Sequence, residues 1–130
     1  MIAPANAELF ETPISTHWFN EKGILCSISK NVERTIEHYE KLMDLYARLT
    51  KNNNKLCLLV DATIIMPMNK EIREFLIREM PKFIKAQAII SDTPLTGMHT
   101  SAFIKLSWQG FPVKIFSAQK EAEEWLEGYL

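Results

Sequence analysis

The sequence predicts an α/β domain in which an N-terminal β-hairpin leads into a mostly parallel sheet of about five strands with about four helices. Three observations predict it. The run Leu56 to Val60 (LCLLV) is continuously apolar, as a central strand covered on both faces reads. Strand-like runs alternate with helically spaced ones through the rest of the chain, the pattern of right-handed strand–helix–strand crossovers. Two runs rich in β-branched and aromatic residues flank Asn20-Glu21-Lys22-Gly23, which is turn chemistry.

Residues Met1 to Ala7 carry no pattern and read as a loose end, and Glu8 to Phe10 as a short edge strand. The hairpin joins Ile14–Phe19 to Ile24–Ser29, with Gly23 able to take positive φ. Asn31 is the expected N-cap of the first helix, and Ile36, Tyr39, Leu42, Met43, Tyr46 and Leu49 give it one apolar face. Lys51 to Lys55 closes that helix as an exposed turn. After the central strand, Asn69 caps a second helix with Ile72, Phe75, Leu76, Met80 and Phe83 inward. Pro81 removes a backbone donor, so a break is expected near Glu79. Ala86–Ser91 is the next strand. Thr93-Pro94 starts a third helix, with Leu95, Met98, Ala102, Phe103 and Leu106 inward. Pro112–Phe116 is a last strand, and Ser117 caps a final helix with Ala118, Ala122, Trp125 and Leu126 inward.

Sequential strand order would place every helix on one face of the sheet. The expected helix-facing set is Ile24, Cys26 and Ile28, then Leu56, Leu58 and Val60, then Ala86, Ala88 and Ile90, then Val113 and Ile115. The opposite set, from Leu25, Ser27 and Cys57 to Lys114 and Phe116, is mixed. It is expected to be a partly open face that, with Trp18 or Phe19, supports a homodimer.

A chain of 130 residues is most simply one domain, residues 1–130, with a core that needs no disulfide or metal. With 47% hydrophobic and 24% charged residues it is ordinary globular material. Its 15 basic and 16 acidic residues leave no basic excess for neutralising phosphates, which argues against nucleic acid. Cys26 and Cys57 read as buried reduced thiols, and no signal peptide or apolar run of about 20 residues is present, so a cytoplasmic protein without a transmembrane segment is expected.

Parallel sheets bind ligands outside the carboxyl ends of their strands. That edge gathers Asp61, Thr63, Met66, Met68, Asn69, Ser91 and Thr93 as the candidate binding surface, with Asp92 and Ser117 nearby. Most such groups serve as caps and turn formers wherever a helix begins. The Met-rich IIMPM (Ile64 to Met68) is core or a soft contact surface. No catalytic set emerges. His99 and Ser101 stand mid-helix without a strained elbow, and His17 and His38 lie on different elements. The cysteines form no zinc pattern, and no phosphate-cradling glycine motif is present, so neither a metal nor a cofactor is expected.

Three segments, VDATIIMPMNKEIREF (Val60 to Phe75), KAQAIISDTPLTGMHTSAFIKL (Lys85 to Leu106) and FPVKIFSAQKEAEEWL (Phe111 to Leu126), together with the hairpin THWFNEKGILCSIS, resemble the STAS domain family, the anti-sigma-factor-antagonist-like fold. The likeness is greatest to its small stand-alone bacterial members. The resemblance implies a regulatory domain whose serine or threonine at the start of the helix after the central strand is phosphorylated to switch partner binding. Asn69 occupies that position here and cannot be phosphorylated. The expected function is therefore a non-enzymatic regulatory or protein-interaction domain, binding an unnamed protein partner, without the phospho-switch. The alternative is a binder of a small apolar or anionic metabolite at the strand-end edge near Asp61.

Overall fold

The computed structural model describes residues 1–50, 54–62, 69–91 and 110–130. Their strands are β1 (Phe10–Glu11), β2 (Ser15–Phe19), β3 (Leu25–Ser29), β4 (Leu56–Asp61), β5 (Ile84–Ile90) and β6 (Val113–Phe116). Their helices are α1 (Ile36–Leu49), α2 (Lys70–Glu79) and α3 (Gln119–Glu127), with a 3₁₀ turn at Met80–Lys82. The strands form one sheet in chain order, antiparallel from β1 to β3 and parallel from β3 to β6. The helix expected from Pro94 lies outside the described residues.

Local chemistry sets most of these elements. Gly23 takes φ +85 in the hairpin turn, where Asn20 Oδ1 accepts from the amides of Lys22 (2.9 Å) and Ile24 (3.0 Å). The turn is centred on Lys22, so His17 faces Ser27 across the pair. Helix α2 ends at Glu79 as Pro81 requires, and the chain continues in the 3₁₀ turn.

Two caps move from their expected places. Helix α1 starts at Ile36 with Thr35 as N-cap, its hydroxyl accepting from His38 N at 3.3 Å. Asn31 stays outside, because the Arg34 guanidinium holds the preceding segment against the sheet by donating to the carbonyls of Ile14 (3.0 Å) and Lys30 (2.9 Å). The N-cap of α3 is Ala118, not Ser117, and no side chain bonds to that cap. The short edge strand expected at Glu8 to Phe10 is β1, shifted to Phe10–Glu11, and its two residues extend the hairpin edge as the sixth strand.

The helices do not share one face. Helices α1 and α2 cover Leu25, Leu58, Ile89 and Val113, with Val60 packed beside them. Helix α3 covers the other face, where Ala122 and Leu126 pack with Trp18, Cys26, Leu59, Ala86 and Ala88, and Met1, Ala3 and Ala7 close over the same layer. The physical reason is connectivity. Helices α1 and α2 are crossovers between parallel neighbours laid down in one direction, so handedness sends both to the same side. Helix α3 follows the last strand, crosses to nothing, and is free to take the second face.

The register also corrects the expected side-chain sets. Leu25 pairs with Leu58, and Cys26 with Leu59, so Cys26 lies on the face opposite Leu58. Gln87 pairs with Leu58, and Ala88 with Leu59, which shifts β5 in the same way. Both faces are apolar and both are covered within the chain. Trp18, at 2% exposed, is core rather than part of an open second face, while Phe19 is 37% exposed.

Candidate functional site

The carboxyl edge of the parallel strands is where the topology delivers the loops and helix starts. Asp61 ends β4 on the α3 face and is 5% exposed. Its carboxylate accepts from the Met1 amino group at 3.1 Å, a pair almost wholly out of water. The segment expected to be loose, Met1 to Ala7, is therefore partly packed: Met1 is held at Asp61, and Ala3 and Ala7 pack on the α3 layer. Ala62 N donates to Ile90 O (3.0 Å) and Ser91 N to Phe116 O (2.9 Å), so the ladder runs to the lip of the edge.

Asn69 begins α2, as its sequence position suggests. Its Oδ1 accepts from Ile72 N at 2.8 Å, and its carbonyl accepts from Arg73 N at 3.1 Å. The side chain satisfies one of the first-turn donors of the helix, so its role is that of a cap. Beyond it α2 presents Lys70, Glu71, Glu74 and Arg78 to solvent, while Ile72 and Leu76 are buried. The structure thus brings Asp61, Asn69 and Ser91 to one edge. Thr63, Met66, Met68 and Thr93 lie outside the described residues, as do Asp92, His99 and Ser101.

Sequence reasoning passed over a buried polar group, His17. It lies on the α1 face with no exposed surface, its Nε2 3.1 Å from Ser27 Oγ and its ring edge-on to Tyr46 at 5.8 Å. Burial pushes its pKa down to about 4, against the Phe10 backbone and the Glu11 carboxylate, which favour the charged form. Nδ1 makes no hydrogen bond of acceptable geometry. The signal was available: a turn centred on Lys22 sets residue 17 opposite residue 27. The pair is sealed under α1 and has no access to substrate, so it is a packing feature and not a Ser–His dyad for catalysis.

The cysteines are free and buried on the α3 face. Cys57 Sγ donates to Leu126 O at 3.9 Å. Burial pushes the Cys26 thiol up to about 12 and raises that of Cys57. Cys26 pairs with Leu59, two residues beyond Cys57, so the thiols are diagonal neighbours on adjacent strands, about 8 Å apart at Cα and beyond disulfide reach. Glu123, on α3, accepts from Asn20 Nδ2 at 2.9 Å and ties the hairpin turn to that helix.

Among the described residues no cluster of three or more His, Cys, Asp or Glu is arranged to hold a metal. No helix among them is long and apolar enough to cross a membrane.

No curated protein and no solved structure matches the chain. One family model does, over residues 17–130, from the first strand of the hairpin proper through α3. The chain belongs to the family described as Domain of unknown function (DUF7793).

Proposed function

We propose that this chain is a non-enzymatic regulatory or protein-interaction domain of STAS-like fold, acting at the carboxyl edge of its sheet through the charged outer face of α2, without a phospho-switch at the helix start. The observation that carries this reading is the Asn69 cap. Its Oδ1 bond to Ile72 N (2.8 Å) satisfies one first-turn donor of α2 with an amide at the position where the resembled family carries its phosphorylated hydroxyl. An amide there holds one state, so partner binding would be constitutive. Asp61 supports the non-enzymatic half, because its buried carboxylate accepts from the Met1 amine within the fold.

The test is cross-linking mass spectrometry on the chain purified from its own host, with intact-mass measurement of the same sample. A stoichiometric protein partner cross-linked through Lys70 is expected, with no phosphate on the chain, and Lys70→Glu combined with Glu74→Lys should abolish its recovery. Cross-links confined to Lys114 and Lys120 on the far side would overturn the surface. A phosphorylated chain would overturn the switch-free reading.

A further inference from the structure

The amino-terminal segment reaches the carboxyl edge of the sheet from the α3 side. The Met1 side chain is 1% exposed, and the Met1 ammonium donates to the buried Asp61 Oδ2 at 3.1 Å, at the end of β4. Ala3 and Ala7 pack on the α3 layer beside it, whereas Ile2, between Met1 and Ala3, is 90% exposed.

The sheet's own ladder does not hold this segment. Among the described residues its one backbone hydrogen bond is internal, from Ala7 N to Pro4 O at 3.1 Å. Its apolar anchors are one methionine and two alanines, and an alanine buries little area. A segment with so few contacts opens far more readily than the strands beneath it. The charge pair is therefore its main tie. Withdrawing one member of a buried ion pair is costly, because the other charge stays in a poor solvent. Here the relief is local: lifting residues 1–7 admits water to the end of β4 without disturbing the ladder.

We propose that residues 1–7 form a strap latched by the Met1 α-ammonium on Asp61. The latch holds only while that nitrogen is a free amine. An amide nitrogen in its place carries no charge and cannot answer the carboxylate as an ammonium does, so the strap lifts and bares the α3 layer beside the edge. The chemical state of the chain's first nitrogen thus decides whether this side of the edge is covered. The charged face of α2 belongs to the other side of the sheet, so failure of the latch leaves the interaction surface untouched.

The experiment is amide hydrogen exchange, followed by NMR, on four chains: the chain with a free Met1 amine, the same chain with Gly-Ser placed ahead of Met1, Asp61→Asn with the free amine, and both changes together. The Ala7 amide should exchange about tenfold faster or more in each altered chain than in the first. The doubly altered chain should be no faster than either single one, because the same tie is lost in all three. In the extended chain Ala88, in β5 under α3, should keep its rate within about twofold. An unchanged Ala7 rate in the extended chain, additive effects in the doubly altered one, or a rise at Ala88 matching that at Ala7 would each overturn the proposal. If Asp61→Asn does not fold, the extended chain, with Asp61 intact, decides alone through Ala7 and Ala88.

Discussion

Acidification should act on this fold through His17 before it acts on the carboxylates. In the folded chain the imidazole is buried against Tyr46 and hydrogen-bonded to Ser27, and its pKa falls from 6.5 to about 4. The unfolded chain therefore takes up the proton first. The stabilisation is complete above about pH 6.5 and is lost as pH falls towards the folded value. At about 1.4 kcal/mol per tenfold change in proton affinity, the full loss is about 3 kcal/mol. About 2 kcal/mol of it is gone by pH 5, a large share of a total stability of roughly 5–15 kcal/mol. The groups that bear on the imidazole are Tyr46 from α1, Glu11 from β1, and Lys30 beyond β3. Tyr46, whose phenol burial raises, does not change charge in this window, and Glu11, held low first by its hydrogen bond to Lys30, titrates below it. The assay is urea unfolding between about pH 7.5 and 5, on the wild type and on His17→Leu with Ser27→Ala, which removes both hydrogen-bonding partners together. The wild-type free energy should fall by about 2 kcal/mol more than that of the double variant. A double variant with the same pH slope as the wild type would refute the assignment.

Other substitutions report on separate parts of the argument. Asn69→Ala should cost about 1 kcal/mol, seen as a fall of about 4 °C in Tm, while Asn69→Ser should recover most of it; equal melting of all three would remove the capping role. Leu59→Ala should cost about 3 kcal/mol in denaturant unfolding, because Leu59 is fully buried between β4 and α3; a loss below about 1 kcal/mol would contradict the packing of α3 on that face. Cys26 should react with an aromatic disulfide reagent near pH 8 only as fast as the chain unfolds, since burial raises its thiol to about 12; rapid labelling of the native protein would show that the α3 layer is open.

The local elements were legible because each rests on nearest-neighbour chemistry. Gly23 and Asn20 specify the hairpin turn, LCLLV specifies a central strand, Asn69 specifies a helix start, and Pro81 specifies a helix end. The misplaced caps show the limit of that chemistry. Asn31 is as good a cap as Thr35 in isolation, and Arg34, anchored on carbonyls from two other segments, decides between them. At the candidate site, the sequence found Asp61 and Asn69 but not the Met1 amine, which is 60 residues away along the chain.

The sequence by itself determined that this is an α/β chain, because period-two and helical patterns alternate along it, while the consecutive strand order was a supposition that the structure bears out. It did not determine which side chains share a face. Only β4 is close to continuously apolar; in β3 and β5 the buried polar residues Ser27 and Gln87 fall on the face that α1 and α2 cover, against the alternation, and only the register sets Cys26 beside Leu59 and Leu25 beside Leu58. Nor could it place α3, whose inner residues Ala122 and Leu126 suit either side of the sheet. Tertiary structure decided both, because packing a sheet on two faces is a property of all its strands together.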